Sequence, residues 1–290
     1  MASILKTSVM RICDHFGHPA SLLDVIKHHP EIRVKLNQPA CIDFQSVPRW
    51  DLLEYIIRST LSGWKHVGGR YQSFRIDIPE YRRIVKKEII PNWSCDIADI
   101  QGFANSKSDL SKFKTTDEMV EMDSPEMIDE ISLEKLAQNL AHQEIRIIHN
   151  PDSGDYFAKF RWDPRLFLMN SGGSHHFAAA KYIATRLCKA VRLHGSLHLY
   201  SLNVAAIRSL HHKFEIFAVS DEDENINALF DALMAFRTNW ISHVMPYPYE
   251  GSVAILLSRD EPRSMRVAQE FRNAGFLDFD AYLSELVARQ

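Results

Sequence analysis

What this chain lacks narrows it first. Its four cysteines, Cys13, Cys41, Cys95 and Cys188, are scattered over 290 residues with no C-x-x-C pair. That spacing excludes a disulfide scaffold or a cysteine zinc site and predicts reduced thiols. Cys188, late in a predicted helix, reads as a buried, inert thiol. Charge of one sign is missing too. The 34 basic and 37 acidic side chains leave a net charge of −3, so nothing draws the chain generally toward nucleic acid or anionic lipid. No apolar run reaches membrane-spanning length, and Met1–Ile12 is too short and too polar for a secretory signal. The expectation is a cytoplasmic protein with no membrane partner and no general affinity for nucleic acid.

Several catalytic signatures are also absent. There is no H-E-x-x-H, no G-x-S-x-G, and no G-x-x-x-x-G-K followed by Ser or Thr. Fourteen histidines are present, yet none has tight metal spacing, and His194 and His198 are too far apart on a strand to share an ion. No metal site is expected, and no internal repeat is visible.

What is there alternates between strand and helix patterns and predicts an α+β (mixed α/β) fold. Ala20–Ile26 and Arg49–Leu61 carry helical spacing, and Tyr71–Ile78 alternates as a strand. Ser106–Glu134 is polar and then acidic, from Asp117 to Glu130, and reads as a linker with helix starts at Ser124-Pro125 and Ser132. Glu144–Ile148 and Tyr156–Trp162 read as a hairpin around Asn150–Asp155. Later, Phe214–Val219 and Ser252–Leu257 predict strands, while Asn225–Arg237, Pro262–Phe271 and Phe279–Ala288 predict helices. The predicted division is an N-terminal region 1–105, an acidic linker and helix 106–140, and a C-terminal α/β domain 141–290.

The centre of the chain is Pro164–Leu202. Leu166–Met169 is a short apolar strand pattern, Asn170–Ser174 is a turn, and the spacing from His175 to Ala190 is helical. Val191–Leu202 then returns as a strand. A glycine turn feeding a helix leaves backbone N–H groups and the positive dipole end free for an anion. By this reading Ser174 caps the helix with its hydroxyl. The helical wheel turns His175 toward ligand and packs His176 on the core stripe.

Gly172-Gly173-Ser174-His175-His176, followed by Phe177-Ala178-Ala179-Ala180, resembles the glycine-histidine box of the ParB/sulfiredoxin superfamily. Ser174 stands at the sulfiredoxin cysteine and His176 at the family arginine, so the redox chemistry and the arginine phosphate clamp are not carried over. The resemblance implies a ParB/sulfiredoxin-like sheet-and-helix core, with Leu166–Met169 and the later strand as a parallel pair. It also implies a nucleotide or other phosphorylated ligand, with magnesium as an accompanying ion, held by Ser171, Gly172, Gly173, Ser174, His175 and His176. His175 would donate a hydrogen bond or serve as acid–base. The hairpin order brings His149, Asp152, Asp155 or Asp163 within reach of the helix start, and one of Asp152, Asp155 and Asp163 would hold a metal ion or orient a nucleophile. Phosphoryl transfer or nucleotide hydrolysis is one outcome. The alternative is a non-catalytic binding protein that keeps the fold without the chemistry.

Overall fold

The computed structural model describes residues 2–36, 40–57, 60–150 and 152–290. In chain order the elements are α1 (Ala2–His15), α2 (Ala20–His28), α3 (Leu53–Ile56), β1 (Leu61–Val67), β2 (Arg70–Ile76), α4 (Pro79–Arg82), β3 (Val85–Asp96) and β4 (Gly102–Phe103). There follow α5 (Thr116–Asp123), α6 (Leu133–Leu140), α7 (Arg146–His149), β5 (Tyr156–Phe160), β6 (Leu166–Met169), α8 (Ser174–Arg186) and β7 (Arg192–Leu202). The remainder is α9 (Val204–Lys213), β8 (Phe214–Ser220), α10 (Asp223–Ala235), β9 (Trp240–Val244), β10 (Ser252–Ser258), α11 (Pro262–Asn273), β11 (Leu277–Asp278) and α12 (Phe279–Ala288). The fold is mixed α+β with two sheets. Part of the expected helix Arg49–Leu61, at Arg58 and Ser59, and Pro151 of the expected turn lie outside the described residues. The rest of that helix is reduced to a 3-10 turn and the four-residue α3.

The chain divides into two compact units that interleave in sequence, not at 1–105, 106–140 and 141–290. One comprises Met1–Asn37, Trp50–Val85 and Leu202–Arg289, the other Gln38–Arg49 and Lys86–Ser201. The first holds the six-stranded sheet β11-β8-β10-β9-β1-β2. Its β8 is buried along its whole length, which is why Phe214–Val219 is apolar except for Glu215, whose carboxylate pairs with Arg259 and Arg272. Leu22, Leu229, Leu233, Val267 and Phe271 pack with Phe217 and Ile255 in its core.

The second unit holds the five-stranded sheet β3-β7-β5-β6-β4. Its helix α8 starts at Ser174, as the turn signal predicts, and buries Phe177, Ala178, Ala179, Ala180, Ile183 and Ala184. The alanine run leaves little side chain between helix and neighbours, and α5 and α6 pack on α8. So the segment 106–140 is no linker. Met119, Val120 and Leu136 are core residues, and Thr115 and Ser132 cap α5 and α6 through their side chains. Its acids occupy the solvent side, which is what gave the segment its linker-like composition.

Strand pairing departs from expectation at two places. The five-residue connection 161–165 makes β5 and β6 an antiparallel hairpin, with Phe157 opposite Leu168, while β5 pairs parallel with β7, Phe157 opposite Leu197. Thus β6 and β7 share a sheet but run in opposite directions with β5 between them, not as a parallel pair. The short link holds β6 on one edge of β5, leaving the other edge to β7. The expected strand Glu144–Ile148 is instead a turn followed by α7.

Candidate functional site

The site is built from the loop after β6. Asn170, only 2% exposed, ties this loop to residues 104–105. Its Oδ1 accepts from the N–H groups of Ala104 and Asn105, and its Nδ2 donates to the carbonyls of Asn105 and Gly172. Asn105 answers by donating Nδ2 to the Asn170 carbonyl. With both ends of the Asn170 amide satisfied, burial costs it little. This bracing sets Ser106 and Lys107 beside the box.

Ser171 is held from two directions. Its N–H and hydroxyl both donate to Asp155 Oδ1, at 3.1 and 2.6 Å, and its Oγ accepts from Arg146 Nη1 at 2.7 Å. Gly173 takes φ +72° and forms the N-cap of α8 with no side-chain cap. A Cβ on Gly173 would stand 2.6 Å from the carbonyl carbon and oxygen of Glu144. Glycine is therefore required here twice, by the left-handed backbone and by close approach of the chain's own backbone. Ser174 is the first helical residue rather than the cap, and its hydroxyl donates to Ser106 Oγ at 2.9 Å.

Both histidines line the cleft, and His176 is packed and hydrogen-bonded as the helical wheel predicts. His175 has both ring nitrogens engaged, Nδ1 with Ser124 Oγ at 2.6 Å and Nε2 with Ser108 Oγ at 3.0 Å. Ser108 in turn donates to Asp123. His176 stacks on His142 with ring centroids 3.7 Å apart and meets Asn139 through Nδ1 at 3.0 Å. Burial, and then the neighbouring rings of His142 and His175, lower the pKa of His176; Glu144 and Glu126 oppose that shift.

Ser171, Gly172, Gly173, Ser174, His175 and His176 line one cleft of about 590 Å³, together with Asn105, Ser106, Lys107, Met127, His142 and Glu144. The structure thus gathers all six box residues. Lys107 makes no ion pair among the described residues, and Glu144 Oε2 stands 3.6 Å from where a Cβ on Gly172 would be. The cleft therefore combines an uncapped helix start and a cation with a carboxylate and imidazole nitrogens.

Asp163 does not belong to it. Its side chain is wholly buried and bound to Arg165, through Oδ1 to Nε at 2.9 Å and Oδ2 to Nη2 at 2.6 Å. Arg165 also donates to the Cys41 carbonyl and to Ser46 Oγ, so this pair fastens the segment 40–49 to the sheet. Of the other named groups, Asp155 braces Ser171, whereas His149 faces the Leu140 carbonyl. Cys188 is exposed, in a left-handed residue (φ +51°) after α8, instead of buried. Among the described residues no three His, Cys, Asp or Glu side chains converge as metal ligands.

Lys107 and Glu144 are charged cleft-lining side chains that the local sequence pattern does not single out. Glu144 was hidden by the apparent alternation of Ile145 and Ile147, which suggested a strand. Comparison with known proteins places the chain by its later two thirds. The chain belongs to DUF6685. That family is described as a family of unknown function, and it matches residues 90–290. No curated protein and no solved structure matches. The matched span contains the whole cleft. Among the described residues no helix is long and apolar enough to cross a membrane.

Proposed function

We propose that the second unit binds a phosphorylated small molecule, a nucleotide being the leading class, in the cleft at the start of α8. The reading includes a ParB/sulfiredoxin-like role for the Gly172–His176 box. One observation carries it: the six box residues line a single cleft with Lys107 at a helix start that no side chain caps. Backbone N–H groups and the helix dipole favour an anion there, and Lys107 adds a formal positive charge. Lys107 in the cleft and Arg146 on Ser171 bring cations to the box from outside it, where position 176 itself has none.

Glu144 takes the part expected of Asp163. A carboxylate beside a bound phosphate is the group that would hold a magnesium ion. Phosphoryl transfer or hydrolysis at this place would use Glu144 and His176. His175 is occupied at both nitrogens, and that observation favours the second reading, a non-catalytic binding protein. A cytoplasmic setting, where the four thiols stay reduced, fits both readings.

A thermal-shift series with inorganic phosphate, ADP and ATP, each with and without magnesium, tests the proposal, because a ligand of the native state raises apparent stability. A saturable rise with any of the three supports it. No shift with all of them, confirmed by calorimetry, overturns it.

A further inference from the structure

The tautomer of His176 carries the phosphate reading one step further, to the class of ligand. Asn139 is only 2% exposed and donates its amide protons to two carbonyls, Met127 at 2.9 Å and Lys135 at 3.1 Å. Those two acceptors fix which end of the amide is nitrogen. Asn139 Oδ1 is then the atom that meets His176 Nδ1 at 3.0 Å. An amide oxygen only accepts, so the ring proton of His176 sits on Nδ1. A neutral imidazole with Nδ1–H carries its lone pair on Nε2.

The neutral form is the one expected at neutral pH. Burial lowers the His176 pKa, and His142 and His175 act the same way, while Glu144 and Glu126 act against them. Lys107 is the remaining charged group lining the cleft. His176 Nε2 makes no hydrogen bond to a described residue, and the ring lines the cleft beside His142.

The cleft therefore offers both hydrogen-bonding characters. The opening N–H groups of α8 and the Lys107 ammonium are its donors, and His176 Nε2 and the Glu144 carboxylate are its acceptors. A phosphate alone satisfies the donors and leaves the acceptors facing its negative oxygens. A ligand that carries a phosphate and a hydroxyl satisfies both.

We propose that the cleft takes a hydroxyl-bearing phosphate ester, a polyol or sugar phosphate, whose hydroxyl donates to His176 Nε2 while its phosphate sits at the start of α8. This rests on the phosphate reading above. The selectivity follows from leaving a fixed acceptor unpaired when the hydroxyl is missing.

Two measurements on the wild-type chain test it. Nitrogen-15 NMR of the histidine rings should show His176 protonated on Nδ1; protonation on Nε2 instead overturns the proposal. Calorimetric titrations of glycerol phosphate and propyl phosphate compare ligands of equal charge that differ in hydroxyls. Glycerol phosphate should bind at least about tenfold more tightly. Equal affinities would overturn the hydroxyl assignment and leave phosphate binding standing. If neither ester nor inorganic phosphate binds, both readings fall together. His176→Phe keeps the ring stack on His142 and removes both nitrogens, so a folded variant should lose the preference; a preference retained in it contradicts the proposal. If that variant does not fold, the wild-type titrations decide.

Discussion

Glu144 presses its backbone against Gly173: a Cβ on that glycine would lie 2.6 Å from the Glu144 carbonyl carbon and oxygen, and 2.8 Å from Ile145 N. The same residue sends its carboxylate past Gly172 into the cleft. One residue thus closes the turn with its main chain and sets the cleft's charge with its side chain.

The two glycines should therefore respond differently to alanine. Gly173→Ala meets a backbone clash at φ +72° and should cost at least about 1–3 kcal/mol. Gly172→Ala meets Glu144 atoms at no less than 3.5 Å, ordinary contact, and should stay within about 0.5 kcal/mol of wild type. Urea denaturation of the pair checks this. Equal losses in the two variants would contradict it.

Glu144→Gln separates charge from shape. A carboxylate beside a helix start disfavours a second anion there, so the variant should bind inorganic phosphate more tightly, by about 0.3–1 kcal/mol. Any gain in wild-type affinity that magnesium confers should disappear in the same variant. Paired titrations with and without magnesium read both effects.

His175→Ala should be a stability variant. It removes a partner from Ser124, which is 1% exposed, and breaks the link through Ser108 to Asp123. A buried hydroxyl left without its partner costs about 1–3 kcal/mol. Ligand affinity of the folded variant should change little. A large loss of affinity with unchanged melting would return His175 to the binding machinery.

The other unit carries a separate pH dependence. Asp280 is buried beside His211, with Nδ1 to Oδ2 at 3.9 Å, and burial, then the charges of Asp278 and Glu215, push its pKa up to about 7. Its folded-state pKa exceeds the ordinary 3.8, so the native chain holds this proton more tightly than the unfolded one. The cost of the charged form is complete above about pH 7 and is relieved as pH falls toward about 4, with a slope of at most about 1.4 kcal/mol per pH unit. Asp280→Asn removes the titration. Its stability relative to wild type should rise between about pH 4 and pH 7 and level off above that; a flat difference across this range contradicts the assignment.

Much of this architecture was legible in the chain. Leu166–Met169 and Phe279–Ala288 fall on their elements residue for residue, and Gly275, at φ +74°, stops α11 as expected. The box was legible because its turn signal and helical stripe are local. Register and partners were not. Asp163 is a carboxylate near the box in sequence, but its companion Arg165, two residues away, claims it. His175 was expected to face ligand because a helical wheel shows only which way a residue points. It does not show that Ser108 and Ser124, 67 and 51 residues earlier, come to meet it. The acids of 106–140 disguised the capped helix α5 as linker, since composition records the wet face as readily as the buried one, whereas the helix start at Ser132 was legible.

Lys107 gives the most direct test of the central claim. It is exposed and unpaired among the described residues, so Lys107→Ala should fold as wild type does. Calorimetric titration of ADP into the wild-type chain and this variant, with folding checked by thermal melting, should show saturable binding that weakens about tenfold when the charge is removed. The absence of ADP binding to wild type, with inorganic phosphate equally silent, or binding that Lys107→Ala leaves unchanged, would contradict a phosphate site at the start of α8.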